Sequence, residues 1–263
     1  MARIGIVGYG YLGNYIYEQI TTRPELGLEI AFVFNRSAQQ LTKIPSSHVL
    51  LDIEKCRDFS PDLIVELAHP DVSQKHGELF LSCADYMPLS LTCLSDSKLE
   101  TILVNTANKS GTRLCIPHGA VFGLDALNEG KDMWEDVTIT MRKPTRSIDF
   151  SACPDLDVTR ITKETILYDG PTREVCNKFP RNVNSHAATA LAGIGFDRTR
   201  SLLIADPNLE NSVIELEANG GGARIKVQRT NPMQGVSGVL TLMSTLASIC
   251  RITKANKSAL FIC

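Results

Sequence analysis

The sequence predicts an α/β protein: a parallel sheet in the first half, then a second α+β unit with an open mixed sheet. Three observations predict it. A short apolar run, residues 4–7, leads into glycines at 8, 10 and 13, a helical segment, and a second β-rich run at 28–34. Helical and strand-like segments then alternate to about residue 116, the order that builds a parallel sheet. Beyond about residue 120, strand follows strand, and 213–218 and 223–228 flank Gly220-Gly221-Gly222 as a hairpin would.

Taken in order, residues 4–7 form the first strand and a helix follows to about 22. Residues 28–34 are a strand ending at Asn35-Arg36-Ser37, and Pro61-Asp62 introduces a third at 63–65. Residues 71–84 read as helix, 86–91 as strand, 96–108 as helix and 114–116 as a short strand. Residues 137–141 alternate apolar and polar, as a half-buried strand does. Strands are also expected at 165–168 and 202–205, with a helix between them at 183–193. The last helix, 237–252, carries Val239, Leu242, Met243, Leu246 and Ile249 as a packing stripe. The expected division is 1–118, then 119–235, with 236–263 a terminal helix returning to the first domain.

Composition narrows the function classes. The chain has 263 residues, 43% hydrophobic and 21% charged, which excludes disordered and collagen-like chains. Its 27 basic and 29 acidic residues leave a net charge of −2. No block of like charge suggests nucleic acid or a membrane surface as partner. No apolar run reaches the roughly 18 residues of a bilayer span, and no basic leader precedes the first strand, so a cytoplasmic location is expected. The eight cysteines (56, 83, 93, 115, 153, 176, 250 and 263) form no C-x-x-C pair. Reduced, mostly buried thiols and no metal site are expected.

The glycine run reads G-x-G-x-x-G between a strand and a helix, inside a strand–helix–strand unit. In that context it is a Rossmann dinucleotide fingerprint. Gly8 permits the tight turn, Gly10 the approach of a pyrophosphate, and Gly13 close helix–strand packing. Tyr11 and Leu12 complete the cradle, with helix N–H groups facing the phosphates. At the end of the second strand an acidic residue would select NAD. Asn35 stands there, followed by Arg36, whose guanidinium suits a 2′-phosphate. NADP is therefore expected to be accepted alongside NAD. Ala68 and His69, at the end of the third strand, are further cofactor-side candidates.

With that fold in hand, the chain resembles L-aspartate dehydrogenases, most of all their animal homologues. GYGYLG, PELGLEIAFVFNR and DLIVELAHP carry the animal-type likeness. GAVFGLDAL (119–127), MRKP (141–144), YDGPTREVCNKFPRNVN (168–184) and LAGIGFDRTRSLLIADP (191–207) carry a broader one. The resemblance implies a Rossmann domain plus an α+β catalytic domain, and a homodimer. It also implies oxidation of L-aspartate to iminoaspartate with NAD or NADP, feeding pyridine-nucleotide biosynthesis. By the same resemblance Ala120 and Asn184 contact the nicotinamide half of the cofactor.

One family feature is missing. Microbial members carry N-x-H-E-I after the ADP turn, with a catalytic histidine. Here the segment reads ADPNLENSVIELE, placing Asn211 at the asparagine and Val213 at the histidine, or Ile214 if the gap shifts by one. Neither side chain moves a proton. His186, near a helix start, is the first substitute considered, and His118 and His69 are weaker ones. Amino-acid oxidation also needs carboxylate anchors, and cationic side chains supply them. Lys143 is a candidate for both catalysis and substrate binding, Arg181 and Asn182 for substrate binding. Glu66, near the end of the third strand, is placed to approach the ribose or nicotinamide or to serve a structural role, and Asp206 reads as a turn residue. Two rival readings remain: an NADPH-dependent reductase of another small imine or keto acid, and a non-catalytic dinucleotide-binding protein.

Overall fold

The computed structural model describes residues 1–234 and 237–254. The chain divides into two compact units. The first comprises Met1–Ser90, Lys98–Pro117 and Thr245–Cys263; the second comprises Leu91–Ser97 and His118–Ser244.

The first unit is built on a parallel sheet in the order β2-β1-β3-β4, with β1 at Ala2–Val7, β2 at Leu28–Phe34, β3 at Leu63–Glu66 and β4 at Asp85–Pro88. β3 is buried along its whole length, as a central parallel strand covered on both faces must be. Helix α1, Tyr11–Thr22, turns Gly13, Ile16 and Ile20 inward at helical spacing. Ile16 and Ile20 join Ile4, Ile6, Leu63 and Val65 in one core. α2 (Pro70–Leu81), α3 (Ser97–Ser110) and the end of a later helix are the other α-helices of this half. The strand expected at 86–91 stops at Pro88. The one expected at 114–116 is reduced to a single parallel bridge, Tyr86 to Leu114.

The second unit holds the mixed sheet, in the order β6-β7-β5-β8-β9. Its strands are β5 (Asp136–Pro144), β6 (Thr165–Pro171), β7 (Arg200–Asp206), β8 (Ser212–Gly220) and β9 (Ala223–Asn231). β5 and β7 run parallel; the other pairs are antiparallel. Gly221 and Gly222 both have positive φ and close the β8–β9 hairpin in the two-residue turn that favours glycine. α6, Asn184–Ala192, packs against α4 (Leu124–Glu129) and α5 (Thr172–Lys178). The short helices α4 and α5 were not expected; each is under two full turns and offers no periodic pattern to read. A two-residue pairing, β10 (Met233–Gln234) with β11 (Ser237–Gly238), precedes α7, Val239–Ile252.

One boundary and one helix face depart from the sequence reading. Residues 91–97 belong with the second unit, because Thr92 Oγ1 donates to the Pro180 carbonyl at 2.8 Å and Thr92 N to Asn184 Oδ1 at 3.2 Å. The expected stripe on α7 is also rotated. Leu242, Leu246 and Ile249 are buried together with Thr245 and Ser248, whereas Val239 is 42% and Met243 64% exposed. Leu246 and Ile249 pack into the core built on Ile4 and Ile6. Of the described cysteines, Cys56, Cys93 and Cys176 are buried and four are half-buried; none is in a disulfide. Cys263 lies outside the described residues.

Candidate active site

The glycine turn shows three different constraints. A Cβ on Gly13 would lie 2.0 Å from the Gly8 carbonyl oxygen, so only glycine lets α1 start this close to β1. Gly8 has φ +103° and would press a Cβ against the Leu67 backbone and Ala68. Gly10 meets nothing within 4 Å. That open space is a cradle a side chain would fill, and it is where a pyrophosphate needs to approach. α1 has no side-chain cap and no acidic residue in its first turn, so among the described residues no side chain competes for the N-terminal donors of Tyr11, Leu12 and Gly13. The residues present fit a dinucleotide.

Around the turn, polar side chains fix the loops. Asn35 Oδ1 accepts from Tyr9 N at 3.1 Å, while its Nδ2 donates to the Ser37 carbonyl and to Gln40. Asn35 thus shapes the turn from the end of β2, and Arg36 beside it is exposed. Glu66 is fully buried at the end of β3. Burial raises its pKa, and bonds from Ala68 N, Ser90 N and Ser90 Oγ oppose the rise. Its carboxyl holds the Ala68–His69 corner, a structural role. His69 caps α2, its Nδ1 accepting from Asp71 N at 3.3 Å.

The second unit gathers another polar group on the inner face of its sheet. Lys143, near the end of β5, is 1% exposed, and burial lowers its pKa to about 8. Asp149 pulls it back up; Arg229 pushes it further down. His186, third residue of α6, is 0% exposed, and neither ring nitrogen has a hydrogen-bond partner. Burial, then the charge of Lys143, lowers its pKa to about 3, so the imidazole is neutral. Asp149 holds its charge below the usual carboxylate range, through bonds with Ser151 and then through Arg181.

Arg181 and Asn182 both act on Asp149. The exposed Arg181 guanidinium lies 2.5 Å from its carboxylate. The buried Asn182 carboxamide donates to the Asp149 carbonyl at 2.6 Å and accepts from its N–H at 2.9 Å. Asn184 Oδ1 is engaged by Thr92 N. The Ala120 carbonyl accepts from Arg229 Nε at 2.9 Å. His118 is half-buried just before that turn. Asp206 makes the expected turn, accepting from Asn208 N.

The strand register decides which residue of β8 could take the place of the missing histidine. Burial alternates along β8, with Ser212, Ile214 and Leu216 inward. Val213 pairs with Arg142 and Thr230 and faces the other way. The inward position is therefore Ile214, opposite Met141 and Arg229. Of the two positions the sequence reading left open, Val213 and Ile214, only Ile214 faces inward.

Arg229 is the residue sequence reasoning missed. β9 reads ARIKVQRTN, which looks like a solvated edge, yet Arg229 is 7% exposed. The signal was present in the two-residue glycine turn, which fixes the hairpin register and sets Arg229 opposite an inward residue.

Comparison with known proteins follows the same division. Residues 8–117 match the family described as homoserine dehydrogenase, NAD binding domain, and residues 125–252 match aspartate dehydrogenase, C-terminal. The chain is 32% identical to an aspartate dehydrogenase domain-containing protein of Xenopus tropicalis, over 99% of this chain and 98% of that one. It is 31% identical to an L-aspartate dehydrogenase of Methanosarcina barkeri, over 95% and 97%. A solved aspartate dehydrogenase from Thermotoga maritima shares the fold, with a TM-score of 0.75 at 22% identity and full coverage of both chains. The glycine turn, the mixed-sheet unit and these matches over nearly the whole chain agree: the chain belongs to the aspartate dehydrogenase family, a family of NAD(P)-dependent amino-acid dehydrogenases.

Proposed function

We propose that this chain oxidises L-aspartate to iminoaspartate with NAD or NADP, and catalyses the reverse reduction, with Lys143 moving the proton. The observation that carries the reading is Lys143 itself: a buried amine whose pKa of about 8 lets it exchange a proton near neutral pH. The substrate arrives as an ammonium. Its nitrogen must lose a proton before the lone pair can assist departure of the Cα hydride. Neutral Lys143 Nζ accepts that proton, and the charged form returns it in the reductive direction. Bound NAD(P) supplies the hydride acceptor. His186, held neutral beside Lys143, adds no charge to the site.

Support for the cofactor half comes from the open space at Gly10 and the uncapped N-terminus of α1. Tyr11 and Leu12 would line the pyrophosphate, Asn35 and Arg36 the adenosine ribose, and Ala68, His69, Ala120 and Asn184 the remainder. The family resemblance adds two finer expectations: a homodimer, and a product that enters pyridine-nucleotide biosynthesis. Light scattering after gel filtration reads the first.

The rival reading, reduction of another small imine or keto acid, is favoured by one observation. The inward position on β8 is apolar Ile214. Absorbance at 340 nm separates the two. L-aspartate is tested with NADP and NAD at alkaline pH, and oxaloacetate, ammonia and NADPH in reverse. Turnover is expected in both directions. Confirmed NADPH binding with no turnover of aspartate or oxaloacetate would overturn the reaction.

A further inference from the structure

We infer that Arg229, with Ser212, is the anchor for one carboxylate of a dicarboxylate substrate and thereby determines specificity for dicarboxylates. The inference rests on the amino-acid dehydrogenase reading above and assigns a role to a residue that reading did not use.

Four observations support it. The Arg229 side chain is almost wholly buried, and a guanidinium out of water demands a partner. Its bonds go to neutral oxygens: Nε to the Ala120 carbonyl at 2.9 Å and Nη1 to Ser212 Oγ at 3.3 Å. Among the described residues no carboxylate pairs with it, and its Nη2, which is not fully enclosed, makes no hydrogen bond and stays open to a ligand. The tight register of β8 and β9 leaves it no freedom to reach solvent by sliding, since Ile214 pairs with Arg229 and Ser212 with Asn231.

The surroundings repeat the pattern. Lys143 lies one residue beyond the Arg142–Val213 pair, and so in the same cross-strand row as Ser212 and Asn231. Asn231 Nδ2 is buried without an acceptor. The buried row thus offers one amine, one amide N–H and a guanidinium on its flank, all donors. Asp149, which raises the Lys143 pKa, is already paired with Arg181. Burial also lowers the Arg229 pKa to about 10, with no carboxylate opposing that fall.

A planar guanidinium takes a carboxylate by two parallel N–H bonds, which Lys143 as a point charge does not. A division of labour follows: Arg229 holds a carboxylate, and Lys143 is left to exchange a proton.

The test is calorimetric titration of the NADP-loaded protein with succinate, which has two carboxylates and no amine to oxidise. Arg229→Gln is expected to weaken succinate roughly tenfold or more while leaving NADP affinity unchanged. Arg229→Lys should recover part of the loss, and Ser212→Ala should give a smaller one. With L-aspartate as substrate, Arg229→Gln should raise KM far more than it lowers kcat. Succinate affinity within about twofold of the parent in folded Arg229→Gln, or no succinate binding by the parent, overturns the assignment. The reaction is read separately. A protein that binds succinate through Arg229 but never oxidises aspartate keeps this site and loses the reaction; unchanged KM in an active Arg229→Gln does the reverse.

Discussion

His186 and Lys143 are both buried in the second unit, and burial first, then the lysine charge, lowers the histidine pKa to about 3. One of the pair is left able to titrate near neutrality, and it is the lysine.

Removing that group should therefore remove most of the chemistry. Lys143→Met is expected to lower kcat by about 10²–10⁴-fold with NADP affinity unchanged. Aspartate oxidation by the parent should rise with pH through about 8, because Lys143 accepts a proton only when neutral. A stopped-flow pH profile without a limb near 8 would assign the proton to another group.

Asp149 tunes that limb. Its carboxylate favours charged Lys143, so Asp149→Asn removes a term that raises the lysine pKa. The limb is expected to move to lower pH. An unmoved limb would mean that Lys143 does not sense Asp149.

His186→Gln should keep turnover within about tenfold of the parent, since an imidazole this hard to protonate is a weak base. It should also change acid stability. The folded pKa is depressed from 6.5 to about 3, so between those values the unfolded chain binds the proton and the folded one does not. Stability therefore falls as pH drops from 6.5 toward 3. At pH 5 the loss is on the order of 2 kcal/mol relative to pH 7. Urea unfolding at the two pH values should show that difference in the parent and a smaller one in His186→Gln.

The glycine turn separates folding from binding. Gly13→Ala places a Cβ against the Gly8 carbonyl and should cost about 1–3 kcal/mol of stability. Gly10→Ala meets nothing in the chain, so its melting temperature should hold while dinucleotide affinity falls. Equal affinity in Gly10→Ala would place the pyrophosphate elsewhere.

Arg36→Ala should raise KM for NADP more than for NAD, because only NADP presents a 2′-phosphate to an exposed guanidinium. Equal changes with both cofactors would leave Arg36 without a role in the choice.

Much of this was readable in the residues. The dinucleotide unit announces itself because each glycine answers a local constraint within a few residues of chain. The β8–β9 hairpin does so because Gly221-Gly222 closes it. Arg229, Arg181 and Asn182 were not legible in the same way. Whether an arginine on a polar strand is solvated or buried depends on pairing and on the layer above, and neither is a local property. Arg181 read as a substrate anchor, and the fold brings Asp149 to it from 32 residues away. Val213 and Ile214 differ by one step of the pleat, and only strand pairing says which of them faces inward.

Leu246 and Ile249 carry a consequence for biosynthesis. They complete the core around Ile4 and Ile6, yet they are translated after the whole mixed-sheet unit. On the ribosome the amino-terminal sheet must wait, with apolar surface uncovered, until α7 has left the exit tunnel. The mixed-sheet unit is expected to reach protease resistance first in a nascent-chain series, and a chain stalled before residue 245 is expected to be a client for chaperones that recognise exposed apolar surface.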